Sequence, residues 1–245
     1  MRKILVVRDL VVGFDHEPLL EDLSFTVNRG EVFAILGGSG CGKTTVLRHL
    51  VGLEQPLAGS VHIAGRGAPA EALQPPAFGV LFQSGALFGS LTLLQNVALP
   101  LQQWTTLPAD AVLAVAQARL ELVGLGAFAD HMPAAVSGGM KKRAGIARAL
   151  ALDSPLLFLD EPSAGLDPVT AAELDELIMT LSSSLGVTVV MVSHELASIS
   201  KVVDTCIMLD RDAGGIIARG DPRELADKAT DPRVHAFFHR QARPR

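Results

Sequence analysis

The segment Gly37-Gly38-Ser39-Gly40-Cys41-Gly42-Lys43-Thr44 follows the apolar run Val32 to Leu36 directly and precedes a helical pattern from about Thr44 to Leu53. A buried strand, a glycine loop and a helix in that order leave few folds open. Glycines let the backbone wrap closely around phosphate, with successive N–H groups pointing inward. The start of the following helix adds partial positive charge to the same place. A loop of this spacing puts Lys43 within reach of the β- and γ-phosphates of a nucleoside triphosphate and the Thr44 hydroxyl on Mg²⁺. Gly37, Gly38, Ser39, Gly40, Cys41, Gly42, Lys43, Thr44 and the adjoining Thr45 are therefore the expected nucleotide-binding stretch. A bare glycine turn with a chance lysine would not need the strand and helix on either side.

Such a loop needs a carboxylate partner, and one stands far downstream. Leu156-Leu157-Phe158-Leu159 reads as a buried strand ending in Asp160-Glu161. Asp160 is placed to hold Mg²⁺ opposite Thr44, usually through water. Glu161 is then placed to polarise an attacking water as general base. Taken alone the pair is an ordinary acidic turn; paired with the glycine loop it describes a nucleoside triphosphatase.

Further apolar runs, Phe78 to Leu81 and Val187 to Val192, with helical patterns between some of them, predict an α/β fold around a largely parallel sheet. Leu5 to Val12 and Ser24 to Val27 predict antiparallel strands near the N-terminus. The stretch from about Leu91 to Ala135 differs: Pro100, Pro108 and Pro133 punctuate it, and an Ala-rich helix is predicted from about Ala109 to Val123. Asp167 and Pro168 open a helix whose face carries Leu174, Leu177, Ile178, Leu181 and Leu185. Asp221-Pro222 and Asp231-Pro232 open two short ones, the second placing Val234, Phe237 and Phe238 on one face. The triplet Lys141-Lys142-Arg143 reads as a solvated face.

The chain has 245 residues and a formal net charge of -5, with no basic excess of the kind nucleic-acid binders carry. Cys41 and Cys206 are too few for a disulfide framework and lack metal-spaced partners. The apolar run at Ile4 to Val7 is too short for a signal peptide. No stretch approaches the roughly 18 apolar residues of a membrane span. Any membrane role is thus expected to come through a partner.

Val136-Ser137-Gly138-Gly139-Met140, opening a helix to about Leu152, resembles the signature motif of ABC ATPases, with Met140 where Gln is more frequent. Ser137 and the amides of Gly138 and Gly139 make a second helix-start anion site. The resemblance implies that this site grips ATP bound to the opposite subunit, so that two ATP molecules are sandwiched in a head-to-tail homodimer. It also makes Gln83 the Q-loop residue that contacts Mg²⁺ and water, Ser163 to Asp167 the D-loop, and His194 the switch histidine near the γ-phosphate. Phe14 stands where the family places an aromatic residue against adenine; the chain contains no Tyr, and Phe keeps the π-face without the hydroxyl. The implied fold is a P-loop NTPase, RecA-like core (1–90 and 153–220) with N-terminal antiparallel strands, an inserted helical subdomain (91–152) and a helical tail (221–245).

Leu81-Phe82-Gln83-Ser84-Gly85-Ala86-Leu87-Phe88, Ser137 to Met140 and Asp231-Pro232-Arg233-Val234 are similar to the Mla-type members that serve MCE-protein lipid transporters. That resemblance implies an integral membrane permease above the ATPase dimer, an MCE-domain lipid-binding protein beyond the membrane and, in some members, a small STAS-domain protein. It implies a peripheral place on the cytoplasmic face of a bacterial inner membrane, with Ala86, Leu87 and Phe88 offering an apolar surface to the permease. Two alternatives stay open: a motor for import of a small solute such as an amino acid, and a non-transport ABC protein.

Overall fold

The computed structural model describes residues 2–63, 67–69 and 75–241. The last four residues of the predicted tail, 242–245, lie outside the described residues, as does residue 1. Strands β1 (Lys3–Phe14) and β2 (Glu17–Asn28) form an antiparallel hairpin. Asp15 and His16 at its turn have φ of 49° and 66°. Two left-handed residues match the right-handed twist of the flanking strands. Strand β3 (Val32–Gly37) follows, and β4 (Ala58–Ile63) pairs with the other edge of β1 to complete a three-stranded antiparallel sheet.

The main sheet adds β5 (Gly79–Leu81), β6 (Leu156–Asp160), β7 (Thr188–Val192), β8 (Thr205–Asp210) and β9 (Gly215–Gly220). Its order is β5-β6-β7-β3-β8-β9, parallel from β5 to β8 with β9 antiparallel at the edge. Strands β3, β6 and β7 are buried along their whole length. This is why they read as unbroken apolar runs: side chains leave both faces of a parallel sheet and both are covered. Alternation still decides where each goes. Val32, Ala34 and Leu36 enter the core shared with the helices, whereas Phe33 and Ile35 enter the core shared with the hairpin.

Helix α1 (Lys43–Leu50) leaves the glycine loop and packs Val46, Leu47 and Leu50 into the hairpin-side core. On the other face lie α2 (Leu93–Trp104), α3 (Ala109–Leu122), α4 (Gly138–Ala149), α5 (Pro168–Leu185) and α6 (Leu196–Val202). One expectation is corrected here. Pro100 does not punctuate the chain; it sits inside α2. The helix tolerates it because its start is strongly fixed. Thr92 and Gln95 form a reciprocal capping box, and buried Asn96 donates to Phe88, Leu91 and Thr92 carbonyls while accepting from Phe88 N.

Asp167 caps α5 through Val169 N and Thr170 N, with Pro168 at the first position as the sequence predicts. Of the predicted apolar face, Leu174, Ile178 and Leu181 are buried, Leu177 packs at its margin, and Leu185 is exposed at the last turn. The tail forms α7 (Pro222–Lys228) and α8 (Pro232–Phe238), each capped by its Asp. Helix α8 docks on its own chain. Val234 is fully buried, Phe237 and Phe238 pack against the same core, and Arg233 bonds both Asp231 and Asp210. Among the described residues, no helix is long and apolar enough to cross a membrane.

Candidate nucleotide site

The carboxyl ends of β3, β6 and β7 stop side by side and deliver Gly37, Asp160 and Val192 to one edge of the sheet, where ligands of open α/β sheets gather. Gly37 takes φ 146°, and a Cβ there would lie 2.6 Å from both Cys41 Sγ and Leu209 O. Only glycine fits. Lys43 is buried and its Nζ donates to Gly37 O (2.9 Å) and Gly38 O (3.0 Å), so the ammonium stands inside the curl of the loop. Cys41 packs into the hairpin-side core instead of lining the cavity that the rest of the loop lines, and burial pushes its thiol pKa up.

Thr44 Oγ1 donates to Asp160 Oδ1 at 3.2 Å across 116 residues of sequence. Burial raises the Asp160 pKa, and the Thr44 hydrogen bond opposes that rise. One hydroxyl and one carboxylate, both hard oxygen donors, suit Mg²⁺, which keeps most of its waters and takes phosphate oxygens for the rest. Gln83 stands on the same side with an exposed side chain and lines, with Thr44 and Asp160, a cleft beside the loop.

Glu161 follows Asp160 and is itself nearly buried, with φ 47°. A side chain other than glycine in that left-handed region costs roughly 1–3 kcal/mol, and such positions cluster at working sites. Its Oε1 pairs with His194 Nδ1 at 2.8 Å. Among the described residues its Oε2 has no hydrogen-bond partner although it is buried. Glu161 lines the same cavity as the loop, and a carboxylate oxygen left without a partner has unused capacity to accept a proton.

Phe14, Gly37, Gly38, Ser39, Gly40, Gly42, Lys43, Thr44, Thr45, Gln83, Glu161 and His194 all line one cavity of about 660 Å³. Phe14 ends β1 with 54% of its surface exposed, so its ring face is open at the cavity's outer end. Asp160 lies just behind, in the adjoining cleft. The signature residues are not brought to this cavity. Ser137 caps α4 by accepting from Met140 N at 3.2 Å, and Ser137 and Gly138 are exposed on another face. Gly139 is buried because a Cβ would lie 2.2 Å from Thr170 Cγ2.

Leu19, Arg211 and Phe237 also line the cavity, although the sequence marks none of them as a site residue. The signal for Phe237 was present in the apolar face of α8; nothing local marks Leu19 or Arg211. Lys142 departs from its predicted solvated place: it is buried, and its Nζ donates to Gln83 O and to Glu161 O.

Comparison with known proteins agrees with this geometry. The ABC transporter family model matches residues 20–164. The chain is 39% identical over 238 residues to the intermembrane phospholipid transport system ATP-binding protein MlaF of Escherichia coli, covering 95% of this chain and 87% of that protein. It is equally 39% identical to the probable ribonucleotide transport ATP-binding protein mkl of Mycobacterium tuberculosis, spanning 66% of that longer relative. The dimeric post-hydrolysis structure of the ATP-binding cassette MJ0796, bound to ADP and Pi, superposes with a TM-score of 0.79 at 28% identity, covering 89% of this chain and 98% of that one. With its strand-end phosphate loop, its paired carboxylates and a relative matched across nearly its whole length, this chain belongs to the ABC transporter family as one of its ATP-binding proteins.

Proposed function

We propose that this chain is the ATP-hydrolysing motor of a phospholipid transporter, working as a homodimer beneath an integral membrane permease on the cytoplasmic face of a bacterial inner membrane. The observation that carries hydrolysis is the Glu161 carboxylate, paired with His194 on one oxygen and unpartnered on the other, at the wall of the cavity that Lys43 also lines. Glu161 orients and deprotonates the attacking water. His194, bonded to it, holds the carboxylate in place and presents its exposed ring edge toward the γ-phosphate. Lys43 exchanges its two carbonyl partners for β- and γ-phosphate oxygens, and the loop amides from Gly38 to Thr45 take the remainder. Thr44, Asp160 and Gln83 would hold Mg²⁺, which neutralises charge on the phosphate oxygens. Phe14 supports adenine through its ring face.

Homodimerisation rests on what the cavity lacks. The helix-start anion site at Ser137, Gly138 and Gly139 does not line the cavity of the chain's own phosphate loop, so a second copy is needed to set it against ATP. That MJ0796, similar over nearly its full length, is dimeric with ADP and Pi supports the same arrangement.

The permease surface is read at Phe88, which is 57% exposed just after Gln83. Ala86 is exposed beside it, while Leu87 turns partly into the core. An exposed aromatic next to a nucleotide-contacting loop suits a protein partner. Phospholipid as cargo rests on the similarity to MlaF; an MCE-domain protein beyond the membrane and a small STAS-domain partner rest on the resemblance of Leu81 to Phe88, Ser137 to Met140 and Asp231 to Val234 to the Mla-type members. A second reading, nucleotide cargo, is favoured by the equal similarity to mkl.

Gentle solubilisation of membranes containing the tagged chain, followed by mass spectrometry of proteins and lipids, separates the two. A multi-span permease with an MCE-domain protein and bound phospholipid is expected. Recovery of a different permease with a soluble solute-binding protein would overturn the lipid assignment.

A further inference from the structure

Among the three cations in sequence after the signature motif, Lys142 alone is buried, at 6% exposure. Arg143 reaches Glu173 at 3.4 Å near the surface. Burying an ammonium is costly unless donors and charge are both answered. Here both are. Nζ donates to the carbonyl of Gln83, on the loop after β5, and to the carbonyl of Glu161 at 3.2 Å, on the turn after β6. The negative charges it meets are Asp160 and Glu161. Six residues further along α4, Arg148 donates to Ala86 O (2.7 Å) and Gly85 O (3.3 Å) on the same loop.

Three pieces of backbone therefore meet at one nitrogen: the signature helix, the loop presenting Gln83 and the turn presenting Glu161. Side chains of the last two line one cavity from different strands. Their relative placement decides how Glu161 stands against the phosphate loop across that cavity. Glu161 also holds a left-handed backbone, φ 47°, restrained by Ala164 N on the same carbonyl at 3.1 Å. A group that fixes that carbonyl fixes the backbone from which the carboxylate projects, and His194 then holds its tip.

We propose that Lys142 is a positioning residue for hydrolysis, binding the Gln83 loop and the Glu161 turn to the signature helix so that the carboxylate keeps its place over the phosphate loop. This rests on the hydrolytic reading above. Lysine suits the post because its ammonium carries three divergent donors on a long stem. It touches neither substrate nor the reacting atoms, so its removal should leave ATP binding largely intact.

The test compares Lys142→Met, which keeps the stem and loses every donor, with Lys142→Arg, which keeps charge and donors. Turnover and affinity for a fluorescent ATP analogue are measured in the same assembly for each, with thermal unfolding as the control for folding. Lys142→Met should lower kcat by about 10–100-fold, the scale of loss that a misplacement near 1 Å causes, with KM and analogue affinity within about threefold of wild type. Lys142→Arg should recover most of that kcat. Should the Met variant fail to fold, Lys142→Gln, which retains a neutral donor, provides the same comparison and should show reduced kcat at unchanged affinity. Wild-type kcat in the Met or Gln variant would overturn the proposal. So would a fall in affinity equal to the fall in kcat, or an Arg variant no better than Met. Absence of turnover in wild type would instead remove the hydrolytic reading on which the proposal stands, a distinguishable failure.

Discussion

At the scale of single residues, burial separates groups that work from groups that only pack. Cys206 illustrates the second kind: burial pushes its thiol up to about 12, and Sγ bonds Gly220 O at 3.3 Å, so it stays protonated and inert. Asp175 is more informative. It is buried between α5 and α6, accepts from Ser198 Oγ at 3.0 Å, and has its pKa raised chiefly by burial, with Lys201 opposing and Glu176 adding to the rise. A carboxyl with a raised folded-state pKa binds its proton more tightly when folded. Stability is then lost as pH rises through the ordinary carboxylate range to the raised value, and the loss is complete above it. Asp175→Asn keeps the acceptor and removes the charge. It should raise the unfolding midpoint at pH 7.5 by roughly 2–4 °C, the effect of about 1 kcal/mol in a chain this long. The gain should shrink as pH falls below the ordinary carboxylate range; thermal unfolding at several pH values checks both. Lys142 shows where sequence reading stops. Three consecutive cations look alike in one dimension, and only the close approach of α4 to two loops buries the middle one.

At the scale of elements, much was legible because the chemistry was local. Strand β3, the glycine loop and α1 are contiguous, and the Asp caps of α5, α7 and α8 sit one residue before a Pro in each case. The rest depended on tertiary contacts. Strands β4 and β9 carry little apolar signal, since β9 is only half-buried at a sheet edge and β4 exposes half or more of its residues; β8 is buried, but Thr205, Cys206 and Asp210 leave it only a short apolar run. Helix α2 was hidden by Pro100, although the capping pair Thr92 and Gln95 was there to be found. Helix α4 lies unusually close to β5. A Cβ on Gly79 would sit 2.1 Å from the carbonyl of Ala149, and one on Gly145 2.5 Å from Leu81 Cδ1. The first obstacle is backbone and the second the end of a flexible side chain. Gly79→Ala should therefore cost about 2–3 kcal/mol, at the upper end of overpacking penalties. Gly145→Ala should cost under ~1 kcal/mol, because alanine's helix propensity offsets part of the strain. Denaturant unfolding of the two variants gives the comparison, and a reversed order would mean that α4 is free to shift on β5.

At the scale of the whole molecule, two anion sites at helix starts lie apart. The phosphate loop, the paired carboxylates, Gln83, His194 and Phe14 converge at the ends of the parallel strands. The signature motif was legible as a second anion site at a helix start, yet its distance from the first emerges only in three dimensions, where α4 presents Ser137 and Gly138 on another surface. On the dimer reading proposed above, each chain supplies half of a catalytic unit. The tail helix α8, which sequence left without a docking partner, closes against its own core and brings Phe237 to the cavity wall.

The central claim, that a Glu161-dependent ATPase assembles from two copies around ATP, is tested most directly with Glu161→Gln. Turnover, nucleotide affinity and molar mass by light scattering are measured with and without MgATP. The account predicts kcat reduced by at least about 100-fold, the scale expected for loss of a general base, with affinity retained and an ATP-dependent shift from monomer to dimer. Turnover at the wild-type rate, or a monomer at saturating ATP, would contradict it.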